Sequence, residues 1–246
     1  MKISIITAVY NRAGSIAQAV QSVQTQSWHN VEHVVVDGAS TDDTVQVLQS
    51  CMHAQALWVS EPDNGIYDAL NKGLARATGD VIGLMHSDDF FADAQVLARV
   101  AAAFADPDVD AVYGDLDYVA SDDTTRIIRR WRSGEYSPAR LARGWMPPHP
   151  TLYLRRSVIE RWGGYDTRYQ IAADYDAILR YFGQGKIRAA YIPHVLVKMR
   201  VGGESNRSLA RIWLKSREDY TALRRNGVGG FGALIWKNVG KLGQFF

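Results

Sequence analysis

The 246 residues include a single cysteine, Cys51, and no hydrophobic run that approaches the roughly 20 residues a membrane-spanning helix needs. One cysteine excludes an intramolecular disulfide and any multi-cysteine zinc site. Met1-Lys2-Ile3-Ser4 carries no signal-peptide pattern, so a cytoplasmic protein that does not cross a membrane by itself is expected. There is no internal repeat and no low-complexity tract. Two nucleotide-binding signatures are also missing. The first strand-to-helix turn has no Gly-x-Gly-x-x-Gly and no Gly-Lys-Ser/Thr follows a strand, which excludes the usual dinucleotide fold and the P-loop. Charge of one sign is scarce overall, with a net +2, but it is unevenly placed. From Lys198 onward ten Lys and Arg face three acids, whereas the 18 basic residues before it face 23 acids. A basic tail of this kind fits nucleic acid, an anionic membrane face or a solvated helix, and charge alone does not choose among them.

What is present suits one globular domain of generous size with an extension: 47% of residues are hydrophobic and 22% charged. Lys2 to Val9 and Val31 to Val36 are apolar and β-branched and read as buried strands. Between them Ala13 to Thr25 carries apolar residues at helical spacing, Ile16, Ala19, Val20 and Val23. Ser40 and Asp43 have capping-box spacing for a second helix. Leu57 to Ser60, a helix over 66–77 and the run Val81 to Met85 continue the alternation, which predicts right-handed parallel βαβ units and an α/β fold. Further on, a helix is expected over 92–104. Ala111 to Val119 reads as a half-exposed strand with Tyr113, Asp115 and Asp117 on one side, paired with Ile127 to Trp131. Ile187 to Pro193 and Val195 to Val201 read as a last pair of strands.

Chemistry concentrates where these strands end. Ser87-Asp88-Asp89 follows the fourth strand, at the carboxyl edge where open α/β sheets bind ligands. Adjacent acids there stay ionised most easily around a divalent metal that bridges a diphosphate, or they simply cap the next helix. Asp37 ends the second strand, a place from which an acid reaches ribose or a base edge, or serves as a turn acid. Gly144-Trp145-Met146-Pro147-Pro148-His149-Pro150 is too rich in proline to be regular and is expected as a loop over the site, in which His149 is either a ligand-facing imidazole or an ordinary loop histidine. Asp174 and Asp176 fall in the first turn of a helix, where the dipole favours acids whether or not they react.

Taken together, Thr7-Ala8-Val9-Tyr10-Asn11, Val36-Asp37-Gly38-Ala39-Ser40-Thr41-Asp42, the run from Glu61 to Gly73, Ser87-Asp88-Asp89, His149-Pro150-Thr151 and Ala172-Ala173-Asp174-Tyr175-Asp176 strongly resemble the family 2 glycosyltransferases of GT-A fold. The resemblance covers about the first three quarters of the chain. It implies a mixed sheet flanked by helices, a Rossmann-like nucleotide-binding half, and inverting transfer of a sugar from a UDP- or GDP-sugar to a saccharide or lipid-linked acceptor, assisted by Mg²⁺ or Mn²⁺. By position, Thr7, Ala8, Tyr10, Asn11 and Asp37 would hold base and ribose, with Asn64 and Lys72 also on the nucleotide side. Asp88 would face ribose and phosphate, Asp89 would hold the metal, and His149 or Arg207 would neutralise the diphosphate. Asp174 falls at the family's catalytic base. Ser87 stands where many members have the first acid of Asp-x-Asp, and Ala173 where many have Glu.

The implied layout is a catalytic domain over residues 1–207, nucleotide-binding to about 120 and acceptor-facing beyond, followed by a basic amphipathic helical extension over 208–246. Apolar residues at Phe231, Leu234, Ile235, Val239, Leu242 and Phe246 repeat at helical spacing. That stripe either lies on an anionic inner-membrane face, with Arg224, Arg225, Lys237 and Lys241 near headgroups, or packs on the catalytic domain or on a second copy in a homo-oligomer. Nucleic acid is not an expected partner. A metal-dependent nucleotide-sugar hydrolase and a non-catalytic nucleotide-binding module are the competing functions.

Overall fold

The first strands are built almost wholly from Val, Ile and Ala, so they need cover on both faces, and parallel pairing with helical crossovers provides it. In the computed structural model, which describes residues 1–53, 56–201 and 209–239, β1 (Ile3–Val9) is buried along its whole length. It lies between β2 (Val31–Asp37) and β4 (Val81–Leu84), with β3 (Leu57–Ser60) outside β2. All of these pairings are parallel, and the register sets Val9 opposite Asp37 and Asp37 opposite Ser60. The crossovers are α1 (Ile16–Gln24), α2 (Thr44–Cys51) and α3 (Ile66–Arg76). Ile3, Ile5 and Val9 pack with the buried stripe of α1, Ile16, Ala19, Val20 and Val23, while Ile6 and Ala8 pack on the other face with Ala69 and Leu70 of α3. Gly73 lets α3 come this close, because a Cβ there would sit 2.3 Å from Ile6.

The other half of the sheet reverses direction. β4 pairs antiparallel with β8 (Tyr153–Arg155), β8 antiparallel with β6 (Ala111–Val119), and β6 parallel with β9 (Ala189–Arg200). β5 (Phe90–Phe91) closes the edge on β9, and β7 (Ile127–Trp131) forms a hairpin with β6, as expected. Helices α4 (Val96–Ala103), α5 (Pro138–Ala142) and α6 (Arg156–Trp162) lie between strands. α7 (Ala173–Ile178) continues into a π-helical turn, Leu179–Gln184.

Several expectations are corrected. β6 is not half-exposed but buried, because both its faces are covered, Val112 and Leu116 by one core cluster and Ala111 and Tyr113 by another, and Asp115 and Asp117 are shielded with it. Ala189–Arg200 is one strand rather than two. Pro193, which lacks an N–H, is accommodated where the register against β6 slips after Gly114. The helix expected over 92–104 begins only at Val96, since Phe90 and Phe91 are used as a strand. Ser40 does not cap α2: its hydroxyl donates to Asp37, and the helix starts at Thr44, whose N–H donates to Asp42.

α8 (Leu209–Arg225) and α9 (Phe231–Val239) fold back onto α7, with Ala222, Leu223 and Ala233 buried in one cluster with Tyr175, Ile178 and Leu179. Lys237 is therefore not at a headgroup. It is buried, 2.9 Å from Asp219, with its ammonium 3.2 Å from the centre of the Tyr175 ring. Lys241, Leu242 and Phe246 lie outside the described residues. No helix of the described residues is long and apolar enough to cross a membrane.

A buried imidazole under the sheet gives a pH signature. His33 lies 3.0 Å from the Thr7 hydroxyl and is buried, which pushes its pKa down to about 4. The unfolded chain takes up the proton first, near pH 6.5, so stability is full above that value and falls as the pH drops toward 4. His33→Gln should flatten the dependence of melting temperature on pH between 7 and 5, where wild type should lose on the order of 2 kcal/mol through this group. Parallel wild-type and variant curves in urea titrations across that range would overturn the assignment.

Candidate active site

Parallel pairing brings the carboxyl ends of β1 to β4 to one edge, and most of the residues expected to meet a nucleotide stand there. Tyr10 is 56% exposed beside it. Asn11, with a left-handed φ of 50°, accepts from the N–H of Thr41 at 2.8 Å and donates its own to Ser40 at 2.9 Å, which ties the end of β1 to the loop after β2. Asp37 is fully buried. Its carboxylate accepts from the Ser40 N–H at 3.0 Å, the Ser40 hydroxyl at 2.5 Å and the Ser60 hydroxyl at 2.6 Å. A ligand reaches that carboxylate only by displacing a serine, so in this structure Asp37 shapes the loop. Gly38 lies over Asp63, where a Cβ would fall 2.3 Å from the carboxylate. Thr7 and Ala8 are buried, with the Thr7 hydroxyl on His33. Asn64 donates its N–H to Asp68 at 3.0 Å, and Lys72 donates to the Pro62 carbonyl at 2.6 Å, so both brace the turn into α3.

The turn after β4 is electrostatically unusual. Asp89 is 1% exposed, one oxygen accepts from the Arg200 N–H at 3.2 Å, and the other, Oδ2, has no hydrogen-bond partner among the described residues. Burial and the neighbouring charge of Asp88 push its carboxyl well above the usual range, against the pull of Arg200. An orphaned buried carboxylate oxygen is what a hard divalent cation relieves. Among the described residues no three His, Cys, Asp or Glu gather into a metal cluster. One carboxylate with diphosphate oxygens and waters is a donor set that Mg²⁺ or Mn²⁺ accepts, so the residues fit the ion.

Arg200, at the end of β9, was not expected here. Its guanidinium donates to the Asp88 carbonyl and to the Gln18 side chain, and it lies over the Phe90 ring at 5.2 Å. The cation that was expected, Arg207, lies outside the described residues. Nothing in the local sequence marks Arg200, because the β9 register alone brings it beside Asp89.

Across the site, His149 joins two segments. Its Nδ1 is 3.1 Å from Asp174 and its Nε2 is 2.8 Å from Nε2 of His86. His149 is thus no ordinary loop histidine. Its contacts are to Asp174 and to the turn that carries Asp88 and Asp89. Burial and the His149 charge push His86 down to about 4, which keeps it neutral. For Asp174 burial works upward, but His149 and Lys237 outweigh it, and the carboxyl is held well below its ordinary range. Its side chain keeps 19% exposure. Tyr67 donates to the Ile171 carbonyl at 2.5 Å and reaches Asp174 at 3.3 Å. The loop over 144–150 is held by packing, since Trp145 sits among Tyr113, Tyr136 and Phe182 and donates to the Ser133 carbonyl at 2.8 Å.

Known proteins resemble this chain in sequence and in fold. The family model described as Glycosyl transferase family 2 matches residues 4–162. The chain belongs to glycosyl transferase family 2. An uncharacterised glycosyltransferase of Mycobacterium tuberculosis is 34% identical over 186 residues, 72% of this chain and 68% of that protein. A glycosyltransferase of PGL/p-HBAD biosynthesis from Mycobacterium bovis is 31% identical over 222 residues, 86% of this chain and 82% of the relative. Among solved structures, TarS residues 1–349 of S. aureus in complex with UDP-GlcNAc superimposes with a TM-score of 0.72 at 19% identity, over 93% of this chain and 66% of that one. The mannosyltransferase PcManGT from Pyrobaculum calidifontis, in complex with GDP-Man and Mn²⁺, gives 0.68 at 22% identity, over 98% and 69%. The fold of this family 2 glycosyltransferase is therefore GT-A. Asp174 and the helices after it lie beyond the matched residues.

Asp89 makes a test with two readouts. Because its carboxyl is pushed up, the folded state loses stability as the pH rises above about 4, where the unfolded carboxyl ionises. Asp89→Asn should therefore raise the melting temperature of the metal-free protein at neutral pH by a few degrees, about 1–3 kcal/mol. The same change should abolish the further rise that Mn²⁺ with UDP or GDP gives wild type. A variant that melts lower and still responds to Mn²⁺ would remove Asp89 as the ligand.

Proposed function

We propose that the chain moves a sugar from a UDP- or GDP-sugar to a hydroxyl of a saccharide or lipid-linked acceptor, with inversion, in the synthesis of a surface polysaccharide or glycolipid. The observation that carries this reading is the run of contacts from Asp174 through His149 to His86, which links an ionised, partly open carboxylate to the turn bearing the orphaned oxygen of Asp89. A base and a diphosphate anchor held together across one site are what a single displacement requires.

In that displacement the acceptor oxygen attacks the anomeric carbon, the bond to the diphosphate breaks, and the acceptor proton goes to Asp174. Held ionised by His149, Asp174 is in its accepting form throughout the neutral range. A single base suffices for inversion. Two other acids are engaged within the fold: Asp115 accepts from Ser133 and Tyr191 at 2.9 and 2.7 Å, and Asp176 from Asn226 at 2.9 Å. Asp89 would hold Mg²⁺ or Mn²⁺, which supplies positive charge to the departing diphosphate, and Asp88 would stand on its ribose side. Arg200 adds a fixed cation beside both acids. Thr7, Ala8, Tyr10 and Asn11 would form the nucleotide edge, with Asp37 shaping its loop through Ser40 and Ser60 and Asn64 and Lys72 bracing it. The UDP-GlcNAc and GDP-Man bound by the two solved relatives support a nucleotide-sugar donor, and the relative named for PGL/p-HBAD biosynthesis supports a lipid-linked acceptor.

Asp174→Asn should cut transfer by about 10²-fold or more while nucleotide and Mn²⁺ affinity stay close to wild type. Calorimetry with the nucleotide and product formation with a panel of sugars read the two quantities separately. Transfer near the wild-type rate would remove Asp174 as the base.

The acceptor reading extends to location, a peripheral site on the cytoplasmic membrane face. Glu218 and Asp219 of α8 turn inward, while Arg217 and Arg224 are exposed together with Ile212, Trp213 (66% exposed) and Tyr220, and Phe231 (67%) follows on α9. Cations beside exposed aromatic rings suit an anionic bilayer. Trp213→Ala combined with Arg217→Glu should weaken co-sedimentation with phosphatidylglycerol vesicles at least tenfold. Equal binding by the variant would overturn the assignment, as would a wild-type protein that forms a stable dimer through this face.

A further inference from the structure

We infer that Glu218, on the tail helix α8, is a positioning residue for Asp174; the inference rests on Asp174 being the base. The peptide N–H groups at the start of a helix have no intrahelical partners, and the residue before α7, Ala172, has no side chain able to cap them. The buried Glu218 carboxylate instead holds the peptides that lead into the helix, from 46 or more residues away. It accepts from the N–H groups of Gln170, Ile171 and Ala172 at 3.0, 2.9 and 3.0 Å. Three charge-assisted hydrogen bonds to consecutive peptides fix the path of the turn, and the negative charge lies at the favourable end of the helix dipole.

Asp174 follows two residues after this turn. From the opposite side Tyr67 donates to the Ile171 carbonyl at 2.5 Å, so the same peptides are gripped through their N–H groups by α8 and through a carbonyl by α3. Lys237 of α9 closes the arrangement by pairing with Asp219, next to Glu218, while lying on the ring of Tyr175, next to Asp174. None of these tail contacts reaches the strand ends where the nucleotide edge lies. A shift of about 1 Å in a reacting group costs roughly 10²-fold in rate, and this turn is the lever that would produce it.

Glu218→Gln keeps the shape but sets an amide N–H₂ against a peptide N–H, so the turn can no longer be held by both oxygens. Transfer turnover should fall about 10- to 100-fold, with KM for the nucleotide-sugar and Mn²⁺ affinity within about twofold of wild type. Glu218→Asp, which keeps the charge but draws the carboxylate back from the turn, should give the same split and serves if Glu218→Gln folds poorly. All assays are run well below the melting temperature of each variant. The deciding measurement repeats both changes in an Asp174→Asn background. There neither should lower the residual rate further, because a mispositioned base costs nothing once the base is gone. An equal loss in both backgrounds, or no loss in the first, would overturn the inference and leave the base assignment standing. Wild-type transfer by Asp174→Asn alone would remove the base assignment, and this inference with it.

Discussion

Double-sided burial of β1 is the constraint on which the rest depends. A strand of Ile, Val and Ala with no polar face can exist only between two covered faces, and α1 on one side and α3 on the other supply them. Crossovers that return the chain to start each strand from the same end leave all the strand ends on one edge. Asp37, Ser60 and the 86–89 turn meet at that edge because the strands before them had to be buried, not because they attract each other.

The site is then organised by what happens to carboxylates in a place water hardly reaches. Asp37, Asp115, Asp117 and Asp176 are each satisfied by hydroxyls, amides or guanidinium groups of the protein. Asp174 is satisfied by an imidazole and a phenol and remains partly open. Asp89 alone among these acids keeps a buried oxygen without a partner among the described residues. A buried carboxyl oxygen left without a partner costs about 1–3 kcal/mol, and it is this oxygen that a divalent cation would relieve. The contrast between satisfied and unsatisfied acids separates framework from chemistry better than burial does.

The tail belongs to the same reasoning. Its acids, Glu218 and Asp219, are drawn inward by the unpartnered N–H groups ahead of α7 and by Lys237, which leaves the outer face of α8 to cations and aromatic rings. Burying a lysine against a tyrosine ring is tolerable because an acid 2.9 Å away compensates its charge. One set of contacts thus secures the helix that carries Asp174 and sets the character of the outer surface.

Much of this was legible in the residues themselves. Continuous apolar, β-branched runs located the parallel half-sheet, period-3.6 spacing located the buried stripe of α1, and motifs picked out Asp37, Asp88 and Asp89 near strand ends and Asp174 at a helix start. Local pattern works there because each strand and helix is buried by its immediate neighbours in sequence. It failed where partners are distant. The burial of β6 comes from two core clusters, one on each face, the continuity of β9 through Pro193 comes from a register slip against β6, and the inward turn of Lys237 comes from Asp219 on another helix. Arg200 beside Asp89 joins segments 111 residues apart, and His149 against His86 joins segments 63 residues apart. The sequence by itself determined the edge of strand carboxyl ends and the kinds of acid on it. Which acid is left unpaired, and which groups hold Asp174 in place, were decided only when tertiary packing distributed a limited supply of hydrogen-bond partners among buried polar groups.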